Sequence, residues 1–305
     1  MSYDVDDFGA NFTRTSTGFS VSDTKGRTVS VVGQGMGYAA DGDWVTGVAS
    51  SISMTDNGQL ILDVTGLSVD ATSNAYDTGY GGEAPGMQAE LAYWMRSSDT
   101  IIGASGNEYL KSFAGNDTIE GGAGNDTIDG GTGTDTSIYS GNASSYQVTK
   151  TSTGYTVSGG TEGTDTLLNV ERLKFADKTI ALDISGNAGQ AYRLYQAAFD
   201  RTPDVSGLSF QAKGMDAGWG LVSIAQNFID SPEFSSKYGA LNNTQFVSQL
   251  YANVLHRAAD SGGLSYHVTN LEKGMSRAQV LVGFSESPEN QAAIIGVIQN
   301  GIELV

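Results

Sequence analysis

Five carboxylates fall on one spacing. Asp99, Glu108, Asp117, Asp126 and Asp135 stand nine residues apart. Two places before four of them is a glycine (Gly106, Gly115, Gly124, Gly133), and one place before three of them an asparagine (Asn107, Asn116, Asn125). Two places after four of them comes a large apolar residue: Ile101, Leu110, Ile119, Ile128. The best copies open on glycine pairs, Gly121-Gly122 and Gly130-Gly131, so the pattern is G-G-x-G-x-D-x-U-x with U apolar. Carboxylates are hard, negative oxygen donors and suit calcium. Glycine permits tight turns and close approach of backbone carbonyls to an ion, and asparagine tolerates the same turns. The predicted metal-binding residues are therefore Asp99, Gly106, Glu108, Gly115, Asn116, Asp117, Gly122, Gly124, Asn125, Asp126, Gly131, Gly133 and Asp135.

The elements that must position these residues follow from the same period. D-x-U is a very short strand whose U side chain points inward to make a thin core. Two nonapeptides form one coil of a parallel β-helix, so one side recurs every 18 residues. Asp99, Asp117 and Asp135 then line one side, Glu108 and Asp126 the other, with ions between successive coils. A flexible Gly/Asp linker would have no reason to keep isoleucine in phase. The pattern resembles the RTX (repeat-in-toxin) family, a resemblance that implies a calcium-binding β-roll over residues 94–138. Its outer copies depart from the motif: Glu108 replaces aspartate, Ser112-Phe113 the glycine pair, Ser137 the apolar residue, and Asp99 lacks preceding glycines. A short roll holding roughly two or three ions is expected.

Residues 1–93 read as a β-rich N-terminal domain. Hairpins are predicted over 14–21 and over 51–64, the second around Asp56-Asn57-Gly58. A short helix over 84–95 leads into the roll. Residues 139–184 read as a β capping segment, in which Tyr146–Thr149 and Tyr155–Ser158 flank a Thr-Ser-Thr-Gly turn. Gly163-Thr164-Asp165-Thr166-Leu167 repeats half of the nonapeptide, which makes Asp165 a further candidate ligand. Asn169–Phe175 resembles the segment that often closes RTX rolls, where it covers open strand edges.

A second duplication has a period of 56. Leu194-Tyr195 matches Leu250-Tyr251, Arg201-x-x-Asp204 matches Arg257-x-x-Asp260, and Gly207-Leu-Ser-Phe210 matches Gly263-Leu-Ser-Tyr266. Phe228-x-x-Ser-Pro-Glu233 matches Phe284-x-x-Ser-Pro-Glu289. Ala191, Leu194, Tyr195 and Ala198 keep helical spacing, as do Val247, Leu250, Tyr251 and Val254. Asp204 and Asp260 suit helix N-caps, and Ser-Pro-Glu is a helix start with glutamate at the positive end of the dipole. Residues 185–305 are thus predicted to be a duplicated α-helical domain. It resembles a domain of unknown function common at the C-termini of RTX proteins that leave by type I secretion. Related helical modules anchor alphaproteobacterial S-layers to lipopolysaccharide. The fold class expected for the chain is multi-domain α+β.

Composition limits the functions. A formal net charge of −18, from 34 acidic and 16 basic side chains, argues against nucleic acid and against docking on anionic membranes. There are 41 glycines and no cysteine, so a metal rather than a disulfide is the available staple. No apolar run is long enough to span a bilayer, and the acidic N-terminus lacks the features of a Sec signal. No H-E-x-x-H or G-x-S-x-G motif is present, and His256 and His267 read as ordinary helix residues. Gly33–Gly37 lacks the Lys-Ser/Thr of a phosphate loop, and Asp41 with Asp43 is a weak carboxylate pair. The expectation is a non-enzyme. Between residues 112 and 149 stand five acids and no base, so this stretch should fold only when a cation offsets the repulsion. The RTX resemblance implies type I secretion with an uncleaved signal near the apolar C-terminal stretch, and hence an extracellular or cell-surface location. Three roles follow, in order of preference. The first is a structural surface protein that self-associates, S-layer-like or in a matrix. The second is a calcium-dependent adhesin or lectin in which residues 1–83 hold a glycan, and the third a secreted hydrolase with its site in 1–93; the partners expected besides further copies are lipopolysaccharide or another surface glycan.

Overall fold

The computed structural model describes residues 11–22, 27–38, 44–56, 59–70 and 97–305. The helix expected over 84–95 and the pair Asp41/Asp43 lie outside the described residues. Helices and sheets are both present, an α+β chain that divides into two compact units, residues 1–177 and 178–305.

The first unit opens with an antiparallel meander of β1 (Asn11–Thr15), β2 (Gly18–Ser22), β3 (Arg27–Tyr38), β4 (Trp44–Asp56) and β5 (Gln59–Asp70). Both predicted hairpins are there, with Thr15 opposite Gly18 and Asp56 opposite Gln59. Gly33–Gly37 lies within β3, where the register against β4 shifts at Val32/Gly33 and again beyond Gln34. These are bulges of a strand, not a phosphate-binding turn.

The roll follows. On one face β6 (Thr100–Ile102), β8 (Thr118–Glu120) and β10 (Thr136–Ile138) run parallel, in register at 18-residue steps. On the other face β7 (Tyr109–Lys111) and β9 (Thr127–Asp129) do the same. Three-residue strands have little stability alone; here each is held by its neighbours and by a row of inward side chains. Ile101, Ile119 and Ile128 are almost fully buried, and Leu110 nearly so.

Both edges of the last coil are covered. After β11 (Tyr146–Lys150) and β12 (Tyr155–Gly159), β13 (Gly163–Leu168) pairs parallel with β9. β14 (Arg172–Lys174) pairs parallel with β10. At the other end the meander itself is the cover. Strand β5 pairs antiparallel with β6, placing Val64 opposite Ile101. A single lateral row, Val31, Ile52, Val64, Ile101, Ile119, Ser137 and Leu173, therefore crosses from meander to cap, all of it buried.

The second unit contains eight helices. They are α1 (Asn187–Phe199), α2 (Val205–Asp216), α3 (Leu221–Ile229), α4 (Pro232–Tyr238), α5 (Asn243–Leu255), α6 (Ser261–Glu272), α7 (Arg277–Ser285) and α8 (Pro288–Ile298). The starts of α1 to α4 and of α5 to α8 differ by 56 throughout. Asp204 and Asp260 cap through the N–H groups of Gly207 and Gly263, and Ser231 and Ser287 through those of Phe234 and Asn290. Leu194, Ala198, Phe228, Leu250, Val254 and Phe284 belong to one buried core, as the 56-residue matching and helical spacing anticipate. Arg201 pairs with Glu233, and Arg257 with Glu289, each guanidinium also lying over a tyrosine ring (Tyr195, Tyr251). The halves are joined by an unrepeated contact. Arg193, buried in α1, donates to Glu286 from Nε (3.0 Å) and to the Ile184 carbonyl from a terminal nitrogen (2.8 Å). A short antiparallel pair, β15 (Thr179–Ala181) with β16 (Ile302–Leu304), brings the last strand back beside the first.

Candidate metal centre

The turns between the short strands are built by backbone that only glycine adopts easily. Gly124 and Gly133 have φ of +130° and +135°, and a Cβ on either would overlap the carbonyl oxygen 18 residues back, that of Gly106 or Gly115. Gly115, Gly122 and Gly131 lie in the same positive-φ region. Coils therefore stack backbone on backbone. The asparagines before the acids lock this stacking. Asn107 Oδ1 accepts from the Asn125 N–H, Asn116 Oδ1 from the Thr134 N–H, and Asn125 Oδ1 from the Thr164 N–H, each at 2.8 Å.

The acids form two columns, split as the 18-residue step requires. In the first, the Asp99 N–H donates to Asp117 Oδ1 (2.8 Å) and the Asp117 N–H to Asp135 Oδ1 (2.9 Å). In the second, the Glu108 N–H donates to Asp126 Oδ1 (2.8 Å), and the Asp126 N–H to Asp165 Oδ1 (3.0 Å). One oxygen of each of Asp117, Asp126 and Asp135 is thus occupied by the ladder. The other is different. Asp117 Oδ2, Asp126 Oδ2, Asp135 Oδ2 and both oxygens of Asp99 are buried without a hydrogen-bond partner. A buried carboxylate oxygen left unpaired is costly, and a hard cation is the partner that its chemistry suits.

Electrostatics agrees. Burial raises every column aspartate. Asp99 is pushed up to about 6 by burial and by the charge of Asp117, and Asp135 to about 7 by burial and by Asp117 and Glu171. Asp117 and Asp126 are raised by burial against backbone hydrogen bonds that pull the other way. Glu108 is half-buried and raised by burial and by Asp126, and its carboxylate turns back to the Ala104 N–H. Asp129 shows what a paired acid looks like in the same roll. Burial opposes its ionisation, but Lys111 (2.8 Å) and Asn169 (2.7 Å) hold its carboxyl below the ordinary range.

The donor set fits calcium. Among the described residues no three acidic or imidazole side chains converge on one point, so turn carbonyls would have to complete a shell of six to eight oxygens. Asp99, Asp117, Asp126 and Asp135 would supply the charged oxygens, and the glycines the close-set carbonyls. The bound ion would supply positive charge between carboxylates that otherwise repel. The protein supplies the spacing.

Residues 102–137 match the RTX calcium-binding nonapeptide repeat (4 copies). The RTX array is calcium-binding, and such repeats are typical of secreted proteins. Residues 225–294, from within α3 to within α8, match DUF4214, a domain of unknown function. Comparison with curated proteins finds no match. Among the described residues no helix is long and apolar enough to cross a membrane.

Two features of the RTX site escaped the sequence reading. Glu171 continues the first column, its Oε2 accepting from the Asp135 N–H at 2.9 Å. The signal was present, since Glu171-Arg172-Leu173 has the D-x-U form and stands 36 residues after Asp135, a whole number of nonapeptides, but Ser144 and Thr153, at two of the positions between, carry no acid. Glu162, held below the ordinary range although burial opposes this, gathers the Ser140 and Thr161 N–H groups and the Ser140 and Tyr146 hydroxyls into the cap. Away from the roll, His256 sits just past α5 in the left-handed region, as Asp200 does after α1. His267 packs among Tyr251, Tyr266 and Phe284.

Proposed function

We propose that this protein is a calcium-dependent structural component of a bacterial cell exterior, exported in the open state and self-assembling outside in an S-layer-like or matrix role. The observation that carries this reading is the pair of columns of buried carboxylates with an unpartnered oxygen, which makes the folded roll conditional on a cation. Extracellular calcium modules bind at about 10⁻⁴–10⁻³ M, a level met outside cells and not in cytosol. Export through a narrow channel needs an open chain, and arrival supplies the ion that closes it. A scaffold role is supported by the helical unit, which presents an exposed aromatic at corresponding places in both halves, Phe210 and Tyr266. A surface offered twice suits lateral contacts between copies or with a surface glycan such as lipopolysaccharide. Titrating the full chain with calcium chloride, followed by light scattering and electron microscopy, tests this: ordered polymers are expected, and a strictly monomeric calcium-bound protein would count against assembly.

A further inference from the structure

Toward the preceding coil, Asp165 repeats the contacts of a calcium-binding rung with one exception. Its Oδ1 accepts the Asp126 N–H, as Asp126 Oδ1 accepts that of Glu108. The Thr166 N–H reaches the Asp126 carbonyl at 2.8 Å, as Thr127 reaches Glu108 and Thr136 reaches Asp117. Gly163 lies against the Gly124 carbonyl just as Gly133 lies against that of Gly115. The exception is Oδ2. In Asp117, Asp126 and Asp135 this atom is buried and unpartnered, whereas in Asp165 it accepts the Tyr139 hydroxyl at 3.0 Å, with both residues buried.

The source of that hydroxyl is informative. Gly121 and Gly130 open their nonapeptides, and a Cβ on either would stand 2.6 Å from Asp126 Oδ2 or Asp135 Oδ2. The absent side chain leaves room beside the unpartnered oxygen. Tyr139 follows the last nonapeptide and occupies the position where the next opening glycine would stand. Where the glycines leave a space, tyrosine brings a hydroxyl into contact with the acid. Its ring is fixed by Tyr146 and Phe175, with centroids 5.2 and 5.6 Å away.

We infer that Tyr139 ends the calcium array: its hydroxyl takes the Asp165 oxygen that remains for an ion on the earlier rungs, so Asp165 completes the ladder without ligating calcium. This rests on the calcium-binding array and not on the surface role proposed above. The test is the number of calcium ions bound by the full chain, measured by equilibrium dialysis, together with the melting temperature in saturating calcium. Asp126→Asn should bind fewer ions than the parent, while Asp165→Asn should bind the same number. One ion fewer in Asp165→Asn would overturn the inference. Tyr139→Phe keeps the ring and its packing, and so decides the matter if Asp165→Asn does not fold. It should hold its full complement of ions and melt a few degrees lower, because a buried carboxylate oxygen loses its partner. An unchanged melting temperature, or a lost ion, in Tyr139→Phe would overturn it as well.

Discussion

The two repeat systems of this chain solve the same problem in opposite ways. In the helical unit each 56-residue copy carries its own caps, its own Arg–Glu pair and its own half of the core, so charges are satisfied by protein groups. In the roll each nonapeptide contributes one acid and, except at Ser137, one apolar side chain, and no protein group meets the second oxygen of Asp117, Asp126 or Asp135. Long units can bury enough surface to be self-sufficient. Nine-residue units cannot, and they delegate the balance of charge to an ion. Repeat length thus decides whether folding depends on the medium.

The sharpest way to break this contrast is to remove calcium. With a chelator, strand signal from the roll should be lost and proteolysis should open residues 97–138, while the helices of 187–298 keep their circular dichroism. Helices melting together with the roll would show that the units are not independent in this respect. Next, Ile128→Ala and Leu250→Ala, both at almost fully buried sites, should each cost about 2–5 kcal/mol. The first loss should appear as a higher calcium requirement, the second as a lower melting temperature at any calcium level. Asp117→Asn should raise the calcium midpoint roughly tenfold, since it weakens charge-assisted contacts worth about 1.5–3 kcal/mol, without moving the helical transition.

A pH titration without calcium sharpens the comparison further. In the folded roll burial pushes Asp99 up to about 6 and Asp135 up to about 7, whereas an unfolded aspartate titrates at about 3.9. The folded state binds more protons in this window, so its stability falls as pH rises through it. Acidification from neutral to about pH 5 should therefore restore part of the strand signal, protons standing in for the metal. No restoration would mean that the carboxylates are not what opens the roll. The smallest effect is expected at a helix cap: Ser231→Ala should cost about 1 kcal/mol, alike with and without calcium.

Much of this was legible because both duplications keep residue type and spacing together. Asp117 and Asp126 could be assigned to opposite columns from the number 18 alone, and the presence of helices α1 and α5 followed from the spacing around Leu194 and Leu250. What escaped detection is non-local. The pairing of Val64 with Ile101 joins segments that share no period, so no count along the chain reveals it. Glu171 and Tyr139 act across the inserted hairpin of β11 and β12, which interrupts the run of nonapeptides and sets Asp165 39 residues from Asp126, out of the nine-residue phase. Asn116 and Asn125 were grouped with metal-binding residues, and their side chains turn out to bind the backbone of the next coil.

The stacked coils place successive acids alternately on two sides, and this makes the length of the roll a quantised property. Inserting or deleting 18 residues keeps every acid on its own side and every isoleucine facing inward, so the array can lengthen or shorten by whole coils without redesign of its ends. A change of nine would hand each downstream acid to the opposite column and leave Glu171 and Asp165 facing the wrong partners. Drift in copy number is therefore tolerated in even steps, and the two terminal acids act as a parity check on the rest.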